Sequence, residues 1–335
     1  MPDIKVLVAD DMSSAAVDIM TRAGLAVDVN TGLAPAQLAE LVGAYHGLAV
    51  RSATKVSADI LARATNLKIV GRAGVGVDNI DVKTATSRKV QVINTPSGNA
   101  IAAGELAIGF MFALARKIPQ ATASMKKGEW DKKRFAGIEI SGKTLGVVGF
   151  GNIGRQVAER AVGLRMKVLA FDPMLPVPAS PGNAPGVPSG IEIVAFDDLV
   201  GRSDFITLHV PLTGETRNLF GAATLARMKK GAYLINCARG GIVDENALYE
   251  SLKAGHLAGA ALDVFDKEPC GPLPLLELDN VLATPHVGAS TKEAQSKVAI
   301  ELAEVFVDFF KTGKVRNAVN NVAATVDDRQ STVDG

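Results

Sequence analysis

Apolar residues in the first hundred positions fall in short runs separated by stretches with helical spacing. Val6 to Ala9, Ala26 to Val29, Gly47 to Val50, Lys68 to Val70 and Val90 to Ile93 are of strand length. Between them lie segments such as Ser57 to Ala64, where apolar side chains return every three or four residues. Strands joined through helices predict βαβ units and a parallel sheet. The segment from Asn99 to about Lys127 then predicts one long helix. A second series follows, with strands at Thr144 to Val148, Lys167 to Phe171, Phe205 to Leu208, Ala232 to Ile235, Gly259 to Val264 and Val281 to Ala283. Helices fall between them, as at Ile153 to Val162 and Glu245 to Lys253, and another is expected from about Thr291 to Phe310. The expected fold class is α/β, with two doubly wound parallel-sheet domains.

Two stretches break this rhythm. Six of the fifteen prolines lie between Pro173 and Gly190, which predicts a surface excursion rather than a helix or central strand. Residues 321–335 have little apolar periodicity and are expected to form a loose tail. No repeat of fixed period is present.

Bulk properties narrow the function classes. The 335 residues suit two domains, and a 47% hydrophobic content suffices for two cores. With 36 basic against 35 acidic residues there is no global attraction to nucleic acid or an anionic membrane. The two cysteines, Cys237 and Cys270, suggest neither a disulfide framework nor a metal site. The start of the chain lacks a signal-peptide pattern, and no apolar run is long enough for a bilayer. A soluble cytoplasmic protein is expected.

Gly149, Gly151 and Gly154 form a G-x-G-x-x-G motif between a strand and a helix. The first glycine permits the turn, the second lets backbone approach a pyrophosphate, and the third lets helix and strand pack closely. The helix start then offers amides to the phosphates. Eighteen residues after Gly154, at a strand end, stands Asp172. A carboxylate there can accept from both ribose hydroxyls of NAD and would repel the 2′-phosphate of NADP. Strand, glycines, helix and acid together predict a Rossmann-like NAD site.

Of the four histidines, His46 begins a strand and His256 suits a helix end. His209 and His286 lie at strand ends, where α/β sheets place their sites. His286, after one strand and before a helix, is the better acid/base candidate on position alone. Arg239 also ends a strand, and its guanidinium fork matches a carboxylate. Glu268 lies just past another strand; a carboxylate beside an imidazole stabilises its charged form.

The segments RAGVGVDNID, NTPSGNAIAAGELAIGFMFALAR, GVVGFGNIGRQVA, LINCARGGIVDENAL, ALDVFDKEP and TPHVGAST occur in this order. As a set they resemble the D-isomer specific 2-hydroxyacid dehydrogenase family, over nearly the whole chain to about Asn320. The resemblance implies a discontinuous substrate domain (1–98 and 287–320) and an NAD-binding domain (99–286), with an active-site cleft between them. It implies Arg239 as carboxylate ligand, His286 as acid/base and Glu268 as its partner. NAD contacts are implied at Val75, Asn152, Ile153, Asp172, Val210 (through its backbone), Cys237, Ala238, Arg239 and Asp263. His286, Val287, Gly288 and Ala289 complete that set, and Asp263 would hold the carboxamide. A homodimer or homotetramer is implied, partly through the region after the first crossover helix. No metal is expected.

On the substrate side, Arg51 with Ser52 and Arg72 with Gly74 and Val75 follow strands of the first domain. Two guanidiniums could bind a phosphate, and amides around Gly74, Val75 and Gly76 could cradle a carboxylate. The resemblance supports oxidation of 3-phospho-D-glycerate with NAD. A hydroxypyruvate or glyoxylate reductase is the nearest alternative, and a nucleotide-sensing corepressor a distant one. Lys132, Lys133 and Arg134 could add charge from a neighbouring subunit, although a solvated loop is the simpler expectation. Some family members carry a C-terminal domain that senses serine; this chain is expected to have no feedback through one.

Overall fold

The computed structural model describes residues 3–178 and 186–322. In chain order the first elements are β1 (Lys5–Val8), α1 (Ser14–Arg22), β2 (Ala26–Val29), α2 (Pro35–Leu41), β3 (Gly47–Val50), α3 (Ala58–Arg63), β4 (Ile69–Arg72), α4 (Val82–Ser87) and β5 (Gln91–Ile93). Then come α5 (Ala100–Arg116), α6 (Ile118–Lys126), β6 (Thr144–Val148), α7 (Asn152–Gly163), β7 (Lys167–Phe171), β8 (Ile191–Ile193), α8 (Phe196–Arg202) and β9 (Phe205–Leu208). The last are α9 (Ala222–Arg227), β10 (Tyr233–Asn236), α10 (Glu245–Lys253), β11 (Gly259–Leu262), β12 (Val281–Ala283) and α11 (Lys292–Thr312).

The chain forms two compact units. One holds the described residues of Met1–Asn99 and Lys292–Gly335, the other Ala100–Thr291. The first unit is a five-stranded parallel sheet in the order β2-β1-β3-β4-β5. One face packs on α1 and α11, where Val6, Val8, Ile69 and Ile93 meet Met20, Leu302 and Phe306. The other face buries Leu7, Leu48, Val50 and Val70 against Leu38, Ile60 and Leu61 of α2 and α3. Strands buried on both faces explain the continuous apolar runs of the sequence.

The second unit is a seven-stranded parallel sheet in the order β12-β11-β10-β9-β6-β7-β8. Strand order reverses at β6, which pairs with both β7 and β9. That switch point opens a crevice at the carboxyl ends of the strands, directly beside the glycine motif.

Two local features differ from expectation. The single long helix is broken: α5 stops at Arg116, Lys117 takes a left-handed conformation (φ 52°), and α6 begins anew. Pro119 cannot supply an amide to a continuous helix and would clash with the preceding turn. The Ala115 carbonyl instead accepts the Ile138 amide at 2.9 Å. The edge strand β8 was also not legible in the sequence, because three residues show too little alternation. Of the proline-rich excursion, residues 179–185 lie outside the described residues, as do residues 323–335 of the expected tail.

Candidate active site

β6 ends in the glycine turn. Gly149 has φ +92°, and a Cβ there would lie 2.5 Å from the His209 carbonyl oxygen. A Cβ on Gly154 would lie 2.0 Å from the Gly149 carbonyl oxygen, so α7 begins pressed against the turn. Gly151, at the N-cap of α7, faces open space within 4 Å of where its Cβ would be. A wall of backbone on one side and an opening before a helix start fit a dinucleotide pyrophosphate. Asp172 follows β7. Its Oδ2 accepts the Phe150 amide at 2.8 Å and its Oδ1 the Met174 amide at 2.9 Å. A carboxylate has about four lone-pair sites, so acceptor capacity remains for ribose hydroxyls. Asn152 and Ile153 open α7 beside this turn.

His209 follows β9 directly, behind the glycine turn. Its Nε2 lies 2.9 Å from Thr207 Oγ1, and its Nδ1 is shielded from solvent. Burial pushes its pKa down to about 3, so the ring is neutral near pH 7 and serves packing rather than proton transfer. Val210, next to it, flanks Gly149.

Arg239, Glu268 and His286 follow the neighbouring strands β10, β11 and β12 in turn. Asn236 shapes the first turn: its Nδ2 donates to the Arg239 carbonyl at 2.9 Å and its Oδ1 accepts the Ala238 amide at 3.0 Å. Arg239 Nη1 donates to the Ala238 carbonyl at 2.6 Å. A Cβ on Gly240 would fall 1.8 Å from the Phe265 carbonyl oxygen, so only glycine lets the Arg239 turn seat on the loop that carries Glu268. In that loop the Phe265 amide donates to Glu268 Oε1 at 3.1 Å. Glu268 Oε2 lies 2.7 Å from His286 Nδ1. One carboxylate is thus anchored to backbone and holds one imidazole nitrogen, which leaves Nε2 for a reacting group. His286 itself sits at φ +53°, an uncommon backbone conformation that surrounding contacts must maintain.

Those contacts come from Asp263. Buried behind the turn, its Oδ1 accepts from Thr284 Oγ1 at 2.5 Å and from the Val287 amide at 2.7 Å. Its Oδ2 accepts the Gly288 amide at 2.8 Å. Three acceptor positions are therefore spent on the segment around His286, with Ala289 just beyond. Cys237 and Ala238 are both buried beside Arg239. Burial, reinforced by the Asp263 charge, pushes the Cys237 thiol up, so it stays protonated.

In the first unit, Arg51 follows β3 and Arg72 ends β4, the adjacent strand. Arg51 Nη1 donates to the Asp11 carbonyl at 3.1 Å, and Ser52 is exposed. Arg72 donates to the Gly76 carbonyl and lies 3.8 Å from Asp78. The Gly74 amide donates to Thr95 Oγ1 at 2.7 Å, which narrows the expected carboxylate cradle to the amides of Val75 and Gly76. The Val75 carbonyl accepts from Asn94 Nδ2 at 2.5 Å.

The remaining candidates are peripheral. His46 Nδ1 accepts the Lys5 amide at 3.1 Å, and His256 Nε2 meets the Leu225 carbonyl at 3.1 Å. Lys132 and Lys133 are exposed, and Arg134 lies 3.5 Å from Asp279. Among the described residues no cluster of three or more His, Cys, Asp or Glu could hold a metal ion. No helix among them is long and apolar enough to cross a membrane.

Residues 108–288 match the family described as D-isomer specific 2-hydroxyacid dehydrogenase, NAD binding domain. The chain belongs to this family. Its segment 108–288 is the family's NAD-binding domain, in agreement with the glycine turn and Asp172. Relatives named D-3-phosphoglycerate dehydrogenase include that of Archaeoglobus fulgidus, 52% identical over 318 residues, and that of Rattus norvegicus, 46% identical over 321. These alignments cover 95% and 96% of this chain, which spans 59% of the length of either relative. Among solved structures, the TT0316 protein from Thermus thermophilus matches with TM-score 0.83 and 34% identity, covering 95% of this chain and 100% of that one. A glyoxylate reductase from Paecilomyes thermophila matches with TM-score 0.85 and 26% identity, covering 95% and 99%. The α/β fold is thus shared with these solved structures.

Sequence reasoning did not single out Asn236, or the clamping contacts of Asp263. Polar residues at the ends of wholly apolar strands were the available signal, since a buried polar group requires partners.

Proposed function

We propose that this chain carries the NAD-linked oxidation of 3-phospho-D-glycerate to 3-phosphohydroxypyruvate. The observation that carries the reading is the His286–Glu268 pair beside Arg239, on adjacent strand ends of an NAD-binding domain. The substrate assignment draws on the names of the relatives and on Arg51 and Arg72, two guanidiniums after adjacent strands.

NAD, when bound, supplies the hydride acceptor. Gly149, Gly151, Asn152, Ile153 and Gly154 receive its pyrophosphate, and Asp172 its adenosine ribose. Val75, the Val210 backbone, Cys237, Ala238 and Val287 to Ala289 line it, and the remaining acceptor capacity of Asp263 orients the carboxamide. Arg239 holds the substrate carboxylate and polarises the oxygen at C2. His286 Nε2 takes the hydroxyl proton as the carbonyl forms, and Glu268 stabilises the resulting imidazolium. Arg51, Ser52 and Arg72 receive the phosphate, and the first unit acts as the substrate-binding domain. NAD is used in preference to NADP because Asp172 repels a 2′-phosphate.

The protein works as a cytoplasmic homodimer or homotetramer. Phe112, Ile118, Met125 and Trp130 of α5, α6 and the following loop support association, since all four large apolar side chains are exposed.

The test follows NADH absorbance with phosphohydroxypyruvate, hydroxypyruvate and glyoxylate in parallel. Strong preference for the phosphorylated acid is expected. Preference for hydroxypyruvate or glyoxylate would move the protein to the short-acid reductases, the reading favoured by its likeness to a glyoxylate reductase.

A further inference from the structure

The loop of residues 51–54 is held at both ends by side chains from elsewhere. Asp10, two residues past β1 and only 5% exposed, accepts the Arg51 amide on Oδ2 at 2.5 Å and the Thr54 amide at 3.2 Å. Its Oδ1 accepts from Thr54 Oγ1 at 2.7 Å. Asn79 Nδ2 in turn donates to the Arg51 carbonyl at 2.7 Å and to the Thr54 carbonyl at 2.6 Å. Amides and carbonyls of both residues 51 and 54 are therefore taken, while Ser52 and Ala53 between them stay exposed.

Asn79 belongs to the loop that follows β4 and Arg72. Its neighbour Asp78 lies 3.8 Å from Arg72. The same loop is thus tied to Arg72 at one residue and to the Arg51 backbone at the next. Asp10 and Arg51 follow β1 and β3, where the order β2-β1-β3-β4-β5 reverses direction. In open parallel sheets that switch point is where ligands bind. A buried carboxylate is costly and is retained where its hydrogen bonds hold something in place.

We infer that Asp10 and Asn79 are positioning residues that fix Arg51 relative to Arg72 and so set selectivity for a phosphorylated acid. This rests on the proposed phosphate role of the two arginines. A dianionic phosphate gains from two guanidiniums held at a set spacing, whereas an acid without phosphate does not need that spacing.

The test measures KM and kcat for phosphohydroxypyruvate and hydroxypyruvate, NADH affinity and melting temperature. The variants are Asp10→Asn, Asn79→Ala and the milder Thr54→Val, which removes the Oγ1 bonds to Asp10 Oδ1 and to the Ala9 carbonyl but leaves both backbone amides on Asp10; Arg51→Ala is the reference. For Asp10→Asn and Asn79→Ala we expect KM for the phosphorylated acid to rise about tenfold, with kcat and NADH affinity held and the hydroxypyruvate KM shifted less than about twofold. Thr54→Val should move the same KM in the same direction by a smaller factor, and it carries the test if either other variant does not fold. If Arg51→Ala leaves the phosphorylated KM unchanged, the phosphate assignment fails and this inference with it. If Arg51→Ala raises it while the other three do not, or raise both KM values alike, the inference is overturned and the assignment stands.

Discussion

His286 Nδ1 lies 2.7 Å from Glu268 Oε2, and the other oxygen of that carboxylate accepts the Phe265 amide at 3.1 Å. Both side chains remain well exposed, at 44% and 38%. An exposed pair contributes little to stability, so its value lies in orienting the imidazole. Glu268→Gln should lower kcat about 100-fold, a typical share for positioned acid–base catalysis, while unfolding in urea shifts by less than about 1 kcal/mol. His286→Ala should abolish turnover while weakening NADH binding far less, since the other NAD contacts remain. Steady-state kinetics beside a fluorescence titration of NADH separate the two effects, and full activity in either variant would refute the assignment.

Gly240 touches the Glu268 loop through backbone alone. A Cβ placed 1.8 Å from the Phe265 carbonyl cannot be relieved by a rotamer change. Gly240→Ala should therefore destabilise the protein by about 3 kcal/mol, at the upper end for overpacking. Where it folds, it should lose activity because the Arg239 and Glu268 turns separate. Gly151→Ala, with open space at its Cβ, should leave stability nearly unchanged. Melting temperatures of the two variants make the comparison.

His209 makes stability depend on pH. Burial lowers its folded pKa to about 3, against 6.5 for the free side chain. Between those values the unfolded chain binds a proton that the folded chain refuses. The neutral form's contribution is complete above pH 6.5 and is lost as pH falls toward 3, by up to about 1.4 kcal/mol per pH unit. His209→Gln should flatten that slope. Denaturant midpoints at about pH 7, 5 and 4 would show it, and an unchanged slope would show that other groups dominate.

Asp172 accepts the amides of Phe150 and Met174, one on each carboxylate oxygen, besides the ribose role proposed for it. Asp172→Ser keeps part of that acceptor capacity and removes the charge. Its ratio of NAD to NADP efficiency should fall at least about tenfold, chiefly through better use of NADP. Parallel kinetics with both coenzymes check this; an unchanged ratio would place the discrimination elsewhere.

Lys117 holds the break between α5 and α6 in a left-handed conformation. Lys117→Gly removes the Cβ penalty and should stabilise the protein by about 1 kcal/mol. Chemical denaturation measures it.

Much of this molecule was readable in one dimension, because its cues are local. Strands buried on both faces leave continuous apolar runs, as at Leu234 and Ile235, and helical spacing marks the segments between them. The glycine turn and Asp172 are separated by one βα unit, so the cofactor site could be inferred from spacing. Arg239, Glu268 and His286 could be placed at strand ends for the same reason. What the sequence could not show were the groups that hold these residues still. Asp263 reaches the amides of Val287 and Gly288, and Asp10 reaches those of Arg51 and Thr54. These partners lie on different strand ends, brought together only when the parallel sheets assemble. Likewise the expected single helix ran straight through Pro119, and the Ala115 carbonyl at the break is satisfied only because the Ile138 amide, from a distant loop, donates to it. Periodicity along the chain specifies which face of each element is buried; hydrogen bonds between distant loops exist only once that burial has set the elements side by side.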